Sequence, residues 1–101
     1  MIANLSQLKK KLTEGAEFDV VAHCRPEVVG ERRRVNYANT VGFYSAIPSE
    51  PDSKTTKANG GKGSFLDWGK AAFWEFNDGV CTLYNGINKN PENLVIAIKP
   101  L

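Results

Sequence analysis

The chain has 101 residues, 42% of them hydrophobic and 24% charged, with a formal net charge of +2. This is the length and composition of one folded domain: it excludes a chain disordered throughout, and two separate halves of about 50 residues would each bury too little surface to be stable. No apolar run approaches the roughly 20 residues of a membrane span, and two cysteines cannot build a disulfide framework.

Leu5, Leu8 and Leu12 recur on one face at 3.6 residues per turn and predict a helix over residues 4–14. Asn4 stands at its N-cap with Gln7 in the capping-box position. Lys9, Lys10 and Lys11 fall where the helix dipole favours cations, and Gly15 is placed as a left-handed C-cap. The segment Met1 to Lys11 carries its charges after its leucines and has no long apolar core. It does not read as a secretory leader, and a cytoplasmic location is expected.

Past Gly15 the period changes to two. Phe18, Val20, Ala22 and Cys24 share one face of a first strand, opposite Asp19, Val21 and His23. Arg25-Pro26-Glu27 ends it, because proline lacks a ladder donor. A second strand is expected from Arg32 to Asn39, with Arg33, Val35 and Tyr37 opposite Arg32, Arg34 and Asn36. A third is expected from Phe43 to Ile47, after a bulge or bend at Gly42.

Residues 48–63, PSEPDSKTTKANGGKG, hold one apolar side chain, Ala58. They read as a long mobile loop. An aromatic block follows, SFLDWGKAAFWEF, in which five of thirteen residues are rings. Asn77-Asp78-Gly79 signals a hairpin into a strand from Val80 to Tyr84. Leu94, Ile96 and Ile98 mark the last strand. The sum is an α+β domain spanning 1–101: an N-terminal helix packed on a curled antiparallel sheet, or a small barrel, of five to seven short strands within 17–47 and 64–99.

Charge is uneven along this frame. Residues 20–62 carry an excess of three positive charges, and all four arginines fall between Arg25 and Arg34. Guanidinium groups favour bidentate contacts to phosphate or carboxylate, so this cluster is a candidate contact surface. Its plainer reading is a solvated strand edge.

Catalytic and cofactor signatures are lacking. The single histidine, His23, neighbours Cys24 in a predicted strand, and adjacent strand residues point to opposite faces, which separates them as a nucleophile and base. There is no Cys-x-x-Cys pair for zinc. Gly63-Ser64 leads into an aromatic strand, where the phosphate-loop pattern G-x-x-x-x-G-K-[ST] leads into a helix. No metal, cofactor or turnover is expected. Asp67 and Glu75 beside the aromatics read as surface carboxylates.

The stretches RPEVVGERRRV (Arg25–Val35), NTVGFY (Asn39–Tyr44) and SFLDWGKA (Ser64–Ala71) resemble a pattern in short uncharacterised proteins of bacteriophages and mobile genetic elements. That resemblance implies a bacterial cytoplasm and a non-catalytic protein that docks on a host or defence macromolecule. The candidate macromolecule-binding residues are Arg25, Arg32, Arg34, Lys54, Lys57, Lys62, Tyr37, Phe43 and Trp68. A protein partner is favoured over nucleic acid, no membrane contact is expected, and an unpaired outer strand leaves room for a homo-oligomer. Two alternatives stand beside this. One is single-stranded nucleic-acid binding, with rings stacking and cations on phosphate. The other is sequestration of a small metabolite under the 48–63 loop.

Overall fold

The computed structural model describes residues 1–48 and 64–101. The expected loop, apart from Pro48, lies outside the described residues, as do Lys54, Lys57 and Lys62.

A short helix, α1 (Leu5–Lys11), precedes seven strands: β1 (Glu17–His23), β2 (Arg32–Ala38), β3 (Gly42–Ala46), β4 (Ser64–Asp67), β5 (Trp74–Asn77), β6 (Val80–Tyr84) and β7 (Leu94–Pro100). All of them join one antiparallel sheet in the order β4-β3-β2-β1-β7-β6-β5. The α+β class is therefore as expected. The sheet is curled but not closed into a barrel.

The curl follows from the connectivity. The chain leaves one edge strand, β4, at Asp67 and enters the other, β5, at Trp74. Laid flat, seven strands would put those edges about 29 Å apart. The intervening residues could reach about 24 Å fully extended, and part of that length is spent on a 3-10 turn, Ala71–Phe73. The sheet has to bend into a trough so that the short link can cross it.

Side chains fill the trough. Phe18, Val20, Val35, Phe43, Trp68, Trp74, Cys81, Leu83, Ile96 and Ile98 meet Leu5, Leu8 and Leu12 of α1 in one core. Leu8 and Leu12 are fully buried, each contributing about 2 kcal/mol of transfer free energy. Large rings need their polar atoms satisfied. The Trp68 indole N–H donates to the Asn39 carbonyl at 2.8 Å, and the Trp74 indole N–H donates to the Trp68 carbonyl at 2.7 Å. Lys89 Nζ then donates to the Trp74 carbonyl at 2.9 Å. This relay ties the β4 side of the trough to the β5–β6 side.

The helix is shorter than expected. Asn4 Oδ1 accepts the Gln7 amide at 2.9 Å, and Gln7 Oε1 accepts the Ala3 amide at 2.7 Å, so the N-terminal cap forms. The C-cap is Leu12, not Gly15. Leu12 must turn into the core, and the Gly15 amide instead donates to the Val35 carbonyl at 2.9 Å. Gly15, at φ +92°, serves the turn into β1.

The aromatic block is also divided. Asp67 Oδ1 accepts the Gly69 amide at 2.7 Å, and Gly69 takes φ +62°. The turn so formed breaks the block into β4 and β5. At the next hairpin, Asp78 and Gly79 both have positive φ, 51° and 81°. That is the type I′ turn that the Asn-Asp-Gly sequence favours.

Candidate functional site

Two β-bulges decide which side chains reach which face. In β1 the register with β7 slips between Val20 and Ala22. Val21 is the extra residue, and every side chain after it changes sides. His23 comes to lie opposite Ile96, on the concave face with Phe18 and Val20. Simple alternation had placed it on the other side. In β2 the register slips between Val35 and Tyr37, with Asn36 extra. Tyr37 therefore pairs with Tyr44 on the convex face, rather than joining Val35 and Arg33 in the core.

The convex face carries a row of rings. Tyr37, Tyr44 and Phe65 lie on adjacent strands in direct register. The Tyr37 and Tyr44 rings are parallel within 5° at a centroid distance of 5.6 Å, and Phe65 lies 6.4 Å from Tyr37. Tyr37 is 48% and Phe65 45% exposed, with Tyr44 half-buried between them. Isolated exposed apolar residues are ordinary on protein surfaces, whereas contiguous ones mark contact sites.

On the same face the arginines are occupied. Arg32 Nε donates to Asp19 Oδ1 at 2.8 Å and Nη2 to Oδ2 at 3.1 Å. Arg34 donates from Nε and Nη2 to Glu17 Oε2 at 3.0 and 2.7 Å. Arg32 opposes Asp19 and Arg34 opposes Glu17 across the β1–β2 ladder, the arrangement in which opposite charges stabilise a sheet. The Arg32 hydrogen bond holds the Asp19 carboxyl below its ordinary value. Phe43 and Trp68, expected to stack on a partner, are 1% and 2% exposed. They are core residues, because the trough turns both inward, and neither presents a ring face to the surface.

On the concave side is a small cavity of about 150 Å³ between β1, β2, β3 and β4. His23, Arg25, Arg33, Ser45 and Ser64 supply its polar wall, with Phe18, Phe43, Phe65 and Ile96 among its apolar neighbours. Arg33 is 8% exposed. Its Nε and Nη2 hold Glu31 Oε1 at 3.0 and 2.7 Å, and its Nη1 reaches Ser64 Oγ at 3.4 Å. Ser45 is 3% exposed. Arg25 is exposed and has no carboxylate partner among the described residues.

His23 Nδ1 accepts the Arg25 amide at 2.9 Å. The ring proton of the neutral imidazole therefore sits on Nε2. Burial first, then the charges of Arg25 and Arg33, lower its affinity for a second proton. Cys24 is closer than strand geometry suggests: β1 ends at His23, and the thiol lies 3.6 Å from Nδ1. That lone pair is already directed at the Arg25 amide, so the imidazole is not poised as a base for Cys24. Among the described residues, no group of three or more His, Cys, Asp or Glu is arranged to hold a metal ion, and no helix is long and apolar enough to cross a membrane.

Of the residues singled out from the sequence, the structure puts Tyr37, Arg32 and Arg34 on the convex face and Arg25 on the cavity. His23, Arg33, Ser45 and Ser64 were not among them. Arg33 and Ser45 had a signal, since each stands in phase with core residues, Val35 and Phe43. His23 had none, because its placement depends on the bulge.

A second depression, about 560 Å³ and wide open, lies against Met1, Ile2, Gln7, Lys10, Lys11 and Leu101. Its charged groups are exposed lysines. Compared with known proteins, the chain matches no family model, no curated protein and no solved structure.

Proposed function

We propose that this protein is a small non-catalytic binding module that docks on another protein through the convex ring row of Tyr37, Tyr44 and Phe65. The observation that carries this reading is the pairing of exposed, contiguous rings with neutralised arginines. Aromatic side chains contribute large contact area at low entropic cost and dominate protein hot spots. Arg32 and Arg34 would have to leave Asp19 and Glu17 before gripping a phosphate backbone. The setting that fits is a host or defence component met in a bacterial cytoplasm by a phage or mobile-element protein.

Single-stranded nucleic acid is the second reading, and the near-parallel Tyr37 and Tyr44 rings favour it as a stacking platform. An anisotropy titration with a labelled twenty-nucleotide deoxythymidine strand separates the two. Protein docking predicts no saturable binding at 25 mM salt. Binding that weakens steeply as salt rises, and that is lost in Tyr37→Ala, assigns the row to nucleic acid.

A further inference from the structure

The concave cavity offers donors and almost no acceptor. His23 presents Nε2–H, Arg33 presents Nη1, Arg25 has no carboxylate partner among the described residues, and two hydroxyls complete the wall. Two carboxylates act on His23: Glu31, which is already held by Arg33 at 2.7 Å, and Glu27, which forms no ion pair among the described residues. Ser45 is almost fully buried as a residue and lines the cavity. A hydroxyl that lines a cavity beside two guanidinium groups is placed to donate to an anion held there.

We infer that this cavity binds the phosphate group of a small phosphomonoester. The donors come from four separate places: the end of β1 with the residues after it, β2, β3 and β4. Such a spread suits the terminal oxygens of a tetrahedral anion better than the two in-plane oxygens of a carboxylate. The volume equals about five water molecules and lies below the 300–1,000 Å³ of a drug-sized pocket. It accommodates a phosphate with the first atoms of its bearer. Arg33 is fixed by Glu31 before any ligand arrives, so little side-chain freedom is lost on binding. The inference does not rest on the convex ring row, and it extends the function to a second kind of ligand.

The test is a nuclear magnetic resonance titration of the full chain, isotopically labelled, at constant ionic strength. The probes are inorganic phosphate, glycerol phosphate and phenyl phosphate, with sodium chloride and acetate as controls. The expected result is saturable shifts confined to His23, Arg25, Arg33, Ser45 and Ser64. Monoesters bind at least as tightly as inorganic phosphate, and the controls cause no saturable shift. Tighter binding of phenyl phosphate than glycerol phosphate identifies the bearer as aromatic, and the reverse order identifies it as polar. Arg25→Ala and Ser45→Ala each weaken phosphate binding at least tenfold. Arg25 is exposed, so its variant keeps the test valid if Ser45→Ala folds poorly. Shifts that stay linear in concentration, shifts spread over surface lysines, or unchanged affinity in Arg25→Ala would overturn the inference. None of these variants touches Tyr37 or Tyr44, so failure here leaves the docking surface standing.

Discussion

Arg32 holds Asp19 with both arms of its guanidinium, Nε at 2.8 Å and Nη2 at 3.1 Å from the two carboxylate oxygens. Two residues along, Arg34 holds Glu17 with the same two nitrogens, both on the single oxygen Oε2. Both pairs are solvent-exposed on the arginine side, where ion pairs add little to stability. They dispose of charge: a patch that reads as strongly basic in sequence is nearly neutral in space. Replacing Arg32 and Arg34 together with alanine should leave Tm within a few degrees of the parent. It should leave affinity for a protein captured by the ring row within about twofold. A tenfold loss of affinity would return these arginines to the interface.

His23 sets a pH dependence of stability. Burial, then Arg25 and Arg33, lower its proton affinity from the ordinary 6.5, while Glu27 and Glu31 oppose the shift. As pH falls, the unfolded chain takes up a proton before the folded one does. Stability from this group is therefore complete above 6.5 and declines as pH drops below it, levelling off beneath the folded value. Urea midpoints measured between pH 7.5 and 5.5 should fall, and His23→Gln should flatten the fall. Rising stability over that range, or an unchanged slope in the variant, contradicts the assignment.

The two thiols should differ sharply in reactivity. Cys81 is fully buried, and desolvation raises its pKa to about 11, so almost no thiolate forms at neutral pH. Cys24 is exposed. Titration of the native protein with a disulfide reagent should release one equivalent rapidly and the second only on unfolding. Two fast equivalents would show that the trough opens readily at β6.

Gly42 lies where β3 passes close against the backbone of β4. A Cβ there would overlap the Leu66 carbonyl oxygen and stand 2.9 Å from Asp67 Cα. Backbone atoms cannot swing away as a flexible side chain would, so Gly42→Ala should cost about 1–3 kcal/mol, read from denaturant midpoints. It should also shift the amide resonances of β4. An unchanged midpoint would mean that β4 is held loosely.

Much of the fold was legible because period and turn chemistry agree. Leu5, Leu8 and Leu12 face the core, and Asp78-Gly79 makes its hairpin. The site was legible in part. Arg33 and Ser45 sit in phase with Val35 and Phe43, and that phase is written in the sequence. The positions of His23 and Tyr37 are not, since each depends on one extra residue, Val21 or Asn36, that inverts the alternation behind it. A bulge of this kind carries no glycine or proline to announce it. The arginine pairs were hidden for a different reason: Glu17 and Asp19 lie 13 to 17 residues from their partners in sequence, and only the β1–β2 register brings them together. Trp68 and Phe43 were misplaced to the surface because counting rings against a flat sheet ignores the room that a curled one encloses.

The central claim is that Tyr37 and Phe65 make the contact and that charge does not. The most direct measurement places a benzophenone photo-crosslinking residue at position 65, with a control at the exposed position 75 on β5, in a bacterial lysate. The captured protein is then purified, and its affinity for the parent chain and for the Tyr37→Ala/Phe65→Ala double variant is measured by calorimetry at 50 and 300 mM salt. The account predicts an adduct from position 65 and none from position 75. It also predicts an affinity that changes less than threefold with salt and drops at least tenfold, about 1.4 kcal/mol, in the double variant. Equal capture from both positions, or an affinity that ignores the double variant and collapses with salt, would contradict it.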